Sequence, residues 1–358
     1  MTKLKKIPIN RWIDLGVLLF LLVFPLFTQT FRVEMMGRFI AYVIFAISLD
    51  LLWGYTGLMS LGHAVLFGMG GYMIALCYSM QGGVPAFMTR EGINAIPSFL
   101  VPLQTPAVAV IAGLLLPVVF AFILGNFLFR SKVSGVFFSI ITLALAQIFK
   151  DFIINQQKFT NGFNGLQGVP RFPIDGIPLS KIHYYYIILL VAVLVYLFCL
   201  WLTKSRFGKV AVSIRENEAR LGFLGYKPAN FKIVIYMISG FIAGLAGILY
   251  TPMTNGITPE DVSVVASTAV LVWLAVGGRG NLTGAIVGTL CVNWAQSLLS
   301  ESFADYWQLI LGIILLAIVF FIPNGLVGKV IEKQHNFRIN RKRVKITAFN
   351  RSMKGAEV

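Results

Sequence analysis

Between Phe39 and Met80 the sequence is almost wholly apolar, yet it encloses one carboxylate, Asp50, and one imidazole, His63. As a pair they have the chemistry of an acid and a base. An ionisable group costs energy inside an apolar span, so each is a functional candidate on placement alone. Around them runs Gly54-Tyr-Thr-Gly-Leu-Met-Ser-Leu-Gly-His63, which adds the hydroxyls of Tyr55, Thr56 and Ser60. Thr142, Thr268 and Asn293 extend the set of polar groups within apolar segments. As an intramembrane enzyme the pair would need a nucleophile, a second histidine or an HExxH helix, and none accompanies it. Structural roles compete for each residue. Asp50 can accept hydrogen bonds at a broken helix end or pair with His63, His63 can bridge at a helix start, and the Thr142 and Thr268 hydroxyls can bond back to their own helices. The stretch is read as a gate or packing hinge first and a binding site second.

The elements that hold these groups follow from composition. Of 358 residues 57% are apolar, mean hydropathy is +0.80, and only 12% are charged, where soluble domains carry about 25%. This is an all-α polytopic membrane protein. A ruler of about 20 apolar residues per crossing predicts about ten transmembrane helices, near 13–30, 38–54, 61–80, 106–129, 135–154, 184–203, 231–252, 263–277, 283–300 and 306–323. The first is read as a span, since no small-residue cleavage site follows it. Residues 1–328 form the membrane domain, and 329–358 a basic tail without core-forming pattern. The net charge of +16 gathers in the inter-span segments of one side, which predicts that both termini are cytoplasmic. It serves anionic lipid headgroups, and no nucleic-acid partner is expected. Cys77, Cys199 and Cys291 all fall in apolar spans and read as core residues, with no disulfide framework or metal pattern.

Lipid offers no water to an exposed backbone, so glycine-rich polar chain at membrane depth must be covered by protein or line a wet cavity. A second glycine-rich interruption, Ala275-Val-Gly-Gly-Arg-Gly-Asn-Leu-Thr-Gly284, lies in the other half. One interruption per half is the pattern of a two-repeat transporter architecture. Small residues at 240, 243, 244, 246 and 247 leave one helix face open to close backbone approach. The loop 204–232 alternates apolar and charged residues at near-helical spacing, which predicts two short amphipathic helices across the cytoplasmic face, stopped by Gly225. The loop 155–183, rich in Asn and Gly, reads either as compact turns capping the opposite mouth or as a flexible loop.

With Gly54–His63 stand Gly135-Val-Phe-Phe-Ser-Ile-Ile-Thr-Leu-Ala144, Asn161-Gly-Phe-Asn-Gly-Leu166, and Ile214-Arg-Glu-Asn-Glu-Ala-Arg220 followed by Leu224-Gly-Tyr226. In this order they resemble the permease subunits of the LIV-type (branched-chain amino acid) ABC importers. Trp273–Gly280, Val292–Gln296 and Phe321–Leu326 resemble the urea-transporter branch, the UrtC type. The resemblance implies a bacterial inner-membrane permease that translocates urea or a close small amide, with branched-chain amino acids as the alternative cargo. It also implies a second homologous permease as heterodimer partner, two cytoplasmic ATPases and a periplasmic substrate-binding protein. No cofactor is expected on this chain. ATP and Mg would sit on the partners, since no GxxxxGK[ST] loop occurs here. In such importers a short cytoplasmic helix docks into the ATPase, and that role would fall to Arg215, Glu216, Glu218, Ala219, Arg220 and Gly225.

Overall fold

The computed structural model describes residues 9–133, 135–173, 177–303, 306–322 and 325–329. From residue 330 on, the expected basic tail lies outside the described residues. The helices are α1 (Ile9–Phe27), α2 (Thr30–Thr56), α3 (His63–Met80), the short α4 (Ala86–Arg90), α5 (Pro106–Arg130), α6 (Val136–Asn155) and the short α7 (Gln157–Thr160). They continue with α8 (Lys181–Lys204), α9 (Arg206–Phe223), α10 (Pro228–Thr254), α11 (Val264–Gly277), α12 (Leu282–Ser302) and α13 (Trp307–Phe321). Each expected apolar segment is largely helical. Among the described residues seven helices have at least 18 residues and enough apolarity to cross a membrane, while α11, at 14 residues, is shorter.

Burial sorts these helices into a centre and a rim. The apolar windows of α2 and α3 are 89% buried and that of α10 is 72% buried, against 22% for α5 and 28% for α6 and α8. Lipid would therefore meet α5, α6 and α8, and α10 lies between α2 and α3. The small-residue face makes this possible. A Cβ on Gly247 would sit 1.9 Å from the Phe67 carbonyl oxygen, and one on Gly70 2.1 Å from that of Gly244. Here α3 and α10 touch backbone to backbone.

The second span begins earlier than position 38. Only Thr28 and Gln29 separate α1 from α2, so Arg32, Glu34 and Arg38 are helical. The expected start at 38 falls inside α2, so Arg38 lies within the span. Glu34 pairs with Lys181 of α8 at 2.5 Å, and Arg38 turns toward the interior.

One end of the bundle carries the basic segments around 131–135, 205–227 and 278–281 and is called the basic end. There the predicted pair of amphipathic helices is present as α9, broken at Asn217 (φ −163°, ψ 94°). The Asn217 side chain accepts the Arg220 N–H at 2.9 Å and so starts the second half. Gly225 then turns with φ 84° before Pro228 opens α10. At the opposite end the 155–183 loop is tied down by an antiparallel pair, β1 (Leu166–Gln167) against β2 (Gly256–Ile257). Asn161, at φ 60°, closes its own turn onto the Gly165 carbonyl at 2.8 Å.

Candidate functional site

The two glycine-rich interruptions meet at the basic end. Asp50 is fully buried on α2, and its Oδ1 accepts the Gly280 N–H at 2.7 Å. Gly280 (φ 72°) belongs to the turn between α11 and α12. A Cβ on Gly54 would lie 2.4 Å from the Gly280 nitrogen, so Gly54 is the residue that lets α2 reach this turn. It does so inside an unbroken helix. α2 continues to Thr56 and stops at Gly57, whose φ of 79° sends its N–H back to the Leu52 and Trp53 carbonyls.

From α9, Arg215 closes the same joint. Its Nη1 donates to the Gly54 carbonyl at 2.5 Å, while Nε and Nη2 reach Glu216 at 3.1 and 2.7 Å. Arg279 lies 5.6 Å over the Trp53 ring. A small recess of about 330 Å³ remains among Trp53, Gly57, Arg215, Glu216 and Arg279.

Above this joint His63 binds three helices together. Ser48 donates its hydroxyl to the Phe45 carbonyl at 2.6 Å and Ser239 to the Ser48 carbonyl at 2.5 Å. Both serine protons are thereby engaged, so the His63 Nε2–H is the donor toward Ser48 Oγ at 2.9 Å and Ser239 Oγ at 3.3 Å. The ring stacks on Phe45 at 5.6 Å, 8° from parallel. Asp50 is bonded to Gly280 and not to His63, so the two do not form an acid–base pair.

Beyond this layer a cavity of about 400 Å³ opens between α2, α11 and α12. Tyr42, Phe45, Phe67 and Trp273 line its apolar side, and Asn293, Gln296 and Ser297 its polar side. Arg38 and Asp261 border it as well. Asp261 sits on the short turn Pro259–Val262, outside the spans, where burial raises its carboxyl above the ordinary range and bonds from Thr258 and Tyr250 oppose the rise.

Of the pathway candidates read from sequence, Asn293 lines this cavity, and its amide also donates to the Thr289 carbonyl at 2.8 Å. Tyr55 faces a separate recess with Tyr196 and Thr203. Thr56 bonds its own helix at the Leu52 carbonyl, and Thr268 does the same at Val265, 2.9 Å away. Ser60 is fully buried in the 57–62 turn. Thr142 both donates to the Phe138 carbonyl at 3.0 Å and accepts the Leu61 N–H at 3.1 Å, which anchors that turn to α6. Arg38, Tyr42 and Asp261 were missed. The first stands where the apolar ruler starts a span, and the third lies in a loop whose fold-back no periodicity announces.

On α9, Ala219 and Arg220 are exposed. Glu218 pairs at 2.6 Å with Lys232, which is only 3% exposed and lies 5.7 Å over the Phe129 ring. Removing Glu218 strands a buried ammonium. Glu218→Ala is expected to lower stability by about 1–3 kcal/mol, and adding Lys232→Met should recover most of it. Thermal denaturation of the purified assembly measures both. An additive loss would contradict the pairing.

A buried three-helix centre, a closed joint at one end and a cavity at the other define a multi-pass membrane permease. The family described as "Branched-chain amino acid transport system / permease component" matches residues 31–319, and the chain belongs to it. It is a transport component and not an enzyme. The high-affinity branched-chain amino acid transport system permease protein LivM of Salmonella typhimurium is 23% identical over 338 residues, covering 87% of this chain and 74% of that protein. Its Escherichia coli counterpart is 23% identical, covering 87% of this chain and 73% of that protein. The probable branched-chain amino acid transport permease protein LivM of Methanocaldococcus jannaschii is 25% identical over 312 residues, covering 80% of this chain and 90% of that protein. No solved structure matches.

Proposed function

We propose that this chain is one permease of an ATP-driven importer of branched-chain amino acids, with its basic end in the cytoplasm. The three relatives named above support that cargo over urea, because each of the three is named for branched-chain amino acid transport. Of the stretches that resemble the urea branch, Trp273–Gly280 has packing duties of its own. A Cβ on Gly277 would lie 1.9 Å from the Gly284 carbonyl, and Gly280 serves the Asp50 joint.

The observation that carries an energy-coupled mechanism is α9. Its first half grips the glycine joint through Arg215, and its far end leaves Phe223 91% and Leu224 70% exposed. An apolar tip on an otherwise charged surface element fits a groove on a soluble subunit. Two ATPases would pull there, bearing the ATP and Mg that this chain has no loop to bind. A second homologous permease would complete the pathway, and a periplasmic binding protein would load it. In this reading α9 transmits movement to the joint of Gly54 and Gly280, which parts to release substrate inward.

Vesicles carrying the complete transporter and its binding protein test the assignment with labelled leucine and labelled urea. ATP-dependent leucine uptake is the expected result. Urea uptake without leucine uptake would overturn the cargo, and equal uptake without ATP would overturn the energy coupling.

A further inference from the structure

We propose that the cavity between α2, α11 and α12 is a zwitterion site, in which Arg38 takes the carboxylate of an aliphatic amino acid and Asp261 its ammonium. The proposal rests on the amino acid reading above and goes further by naming the groups that recognise the cargo.

Arg38 lies about two turns into α2 and is half-buried, with its Nε buried and, among the described residues, without a hydrogen-bond partner. Among the described residues no carboxylate comes within ion-pair distance of it. A guanidinium is costly to leave unpaired where water is scarce, and its planar fork suits a carboxylate.

Asp261 is its complement. Oδ2 accepts the Thr258 N–H at 2.8 Å and hydroxyl at 2.9 Å, and Oδ1 accepts the Tyr250 hydroxyl at 3.1 Å. Tyr42 in turn donates to the Tyr250 oxygen at 3.1 Å, which ties the carboxylate to the same wall of α2 that carries Arg38. Neutral donors hold it in place, and no cation offsets it among the described residues. The neighbouring Lys150 pairs with Glu260 instead, at 2.6 Å.

Two fixed charges of opposite sign thus border one cavity without pairing to each other. Urea, being neutral, would need neither. A free amino acid presents both complements at once, and its alkyl group would lie against Phe45 and Trp273. At about 400 Å³ the space is within the size of small-ligand sites.

The test is equilibrium binding of tritiated leucine to the purified transporter in nanodiscs, without the binding protein so that only the permease site selects. Leucinamide, which lacks the carboxylate, and 4-methylpentanoate, which lacks the ammonium, serve as competitors. Wild type should bind leucine at least tenfold more tightly than either. Arg38→Gln should remove the advantage over leucinamide, with Arg38→Lys keeping part of it, and Asp261→Asn should remove the advantage over 4-methylpentanoate. Leucine binding that is absent in wild type, or unchanged in Arg38→Gln and Asp261→Asn, overturns the site. If leucine uptake by the loaded transporter persists in that case, the cargo assignment stands and only the site is lost. If uptake is absent too, both fall.

Discussion

Gly247→Ala is expected to prevent accumulation of a folded, assembled permease. Its new Cβ would lie 1.9 Å from the Phe67 carbonyl oxygen, 2.9 Å from its carbon and 3.0 Å from the Gly71 nitrogen. All three are backbone atoms of α3, so no side chain can swing aside. Overpacking costs about 1–3 kcal/mol where side chains can adjust, and here the whole helix must retreat from α10. Retreat would also loosen the Gly70–Gly244 approach, where a Cβ would already stand 2.1 Å from a carbonyl oxygen. Gly16→Ala is the control. Nothing lies within 4 Å of its Cβ position, so the change should be neutral or raise stability by up to about 1 kcal/mol. Size-exclusion profiles and thermal midpoints of the detergent-solubilised complex report both. Equal behaviour of the two variants would contradict the packing described for α3 and α10.

Arg215→Ala is expected to cost little stability and most of the transport. Its bond to Glu216 is an exposed ion pair between adjacent residues and contributes at most about 1 kcal/mol. The bond to the Gly54 carbonyl is different in kind, because it joins α9 to the joint that Asp50 and Gly280 close. The Arg215 stem also lies over Gly57, whose Cβ position is 3.1 Å from its Cγ. Coupling free energies between sites run to about 1–3 kcal/mol, or about 5–150-fold. ATP-driven uptake should fall within that range, while basal ATP hydrolysis by the assembled complex persists and its stimulation by loaded binding protein is lost. Arg215→Lys keeps the charge without the fork and should fall between. Undiminished uptake in Arg215→Ala would remove α9 from the transmission path.

The sequence made the helices legible because lipid imposes a length and a hydropathy on each. It made α9 legible as two short amphipathic helices because such a helix has a period, while the place of the break, Asn217, came only from the structure. The small-residue face of α10 was equally open to view. What could not be read was which polar groups converge. Asp50 finds its donor in Gly280, 230 positions away, and His63 finds Ser239 across a third helix. Contacts of that range leave no local signature. Arg38 was not legible because hydropathy marks an arginine as the edge of a span, although one two turns inside a helix is itself a signal. Asp261 was hidden because a short turn folds it back over the cavity.

The central claim is that the path is closed at the joint of the two glycine turns and opens there during transport. Ser60 reports on it directly, since it is fully buried in the 57–62 turn and its hydroxyl has no hydrogen-bond partner among the described residues. Ser60→Cys in a chain with Cys77, Cys199 and Cys291 replaced gives one thiol of nearly the same size. In nanodisc-embedded transporter its reaction with a membrane-impermeant thiol reagent should be slow at rest and at least tenfold faster during turnover with ATP and loaded binding protein. The same rate in both states would contradict the account.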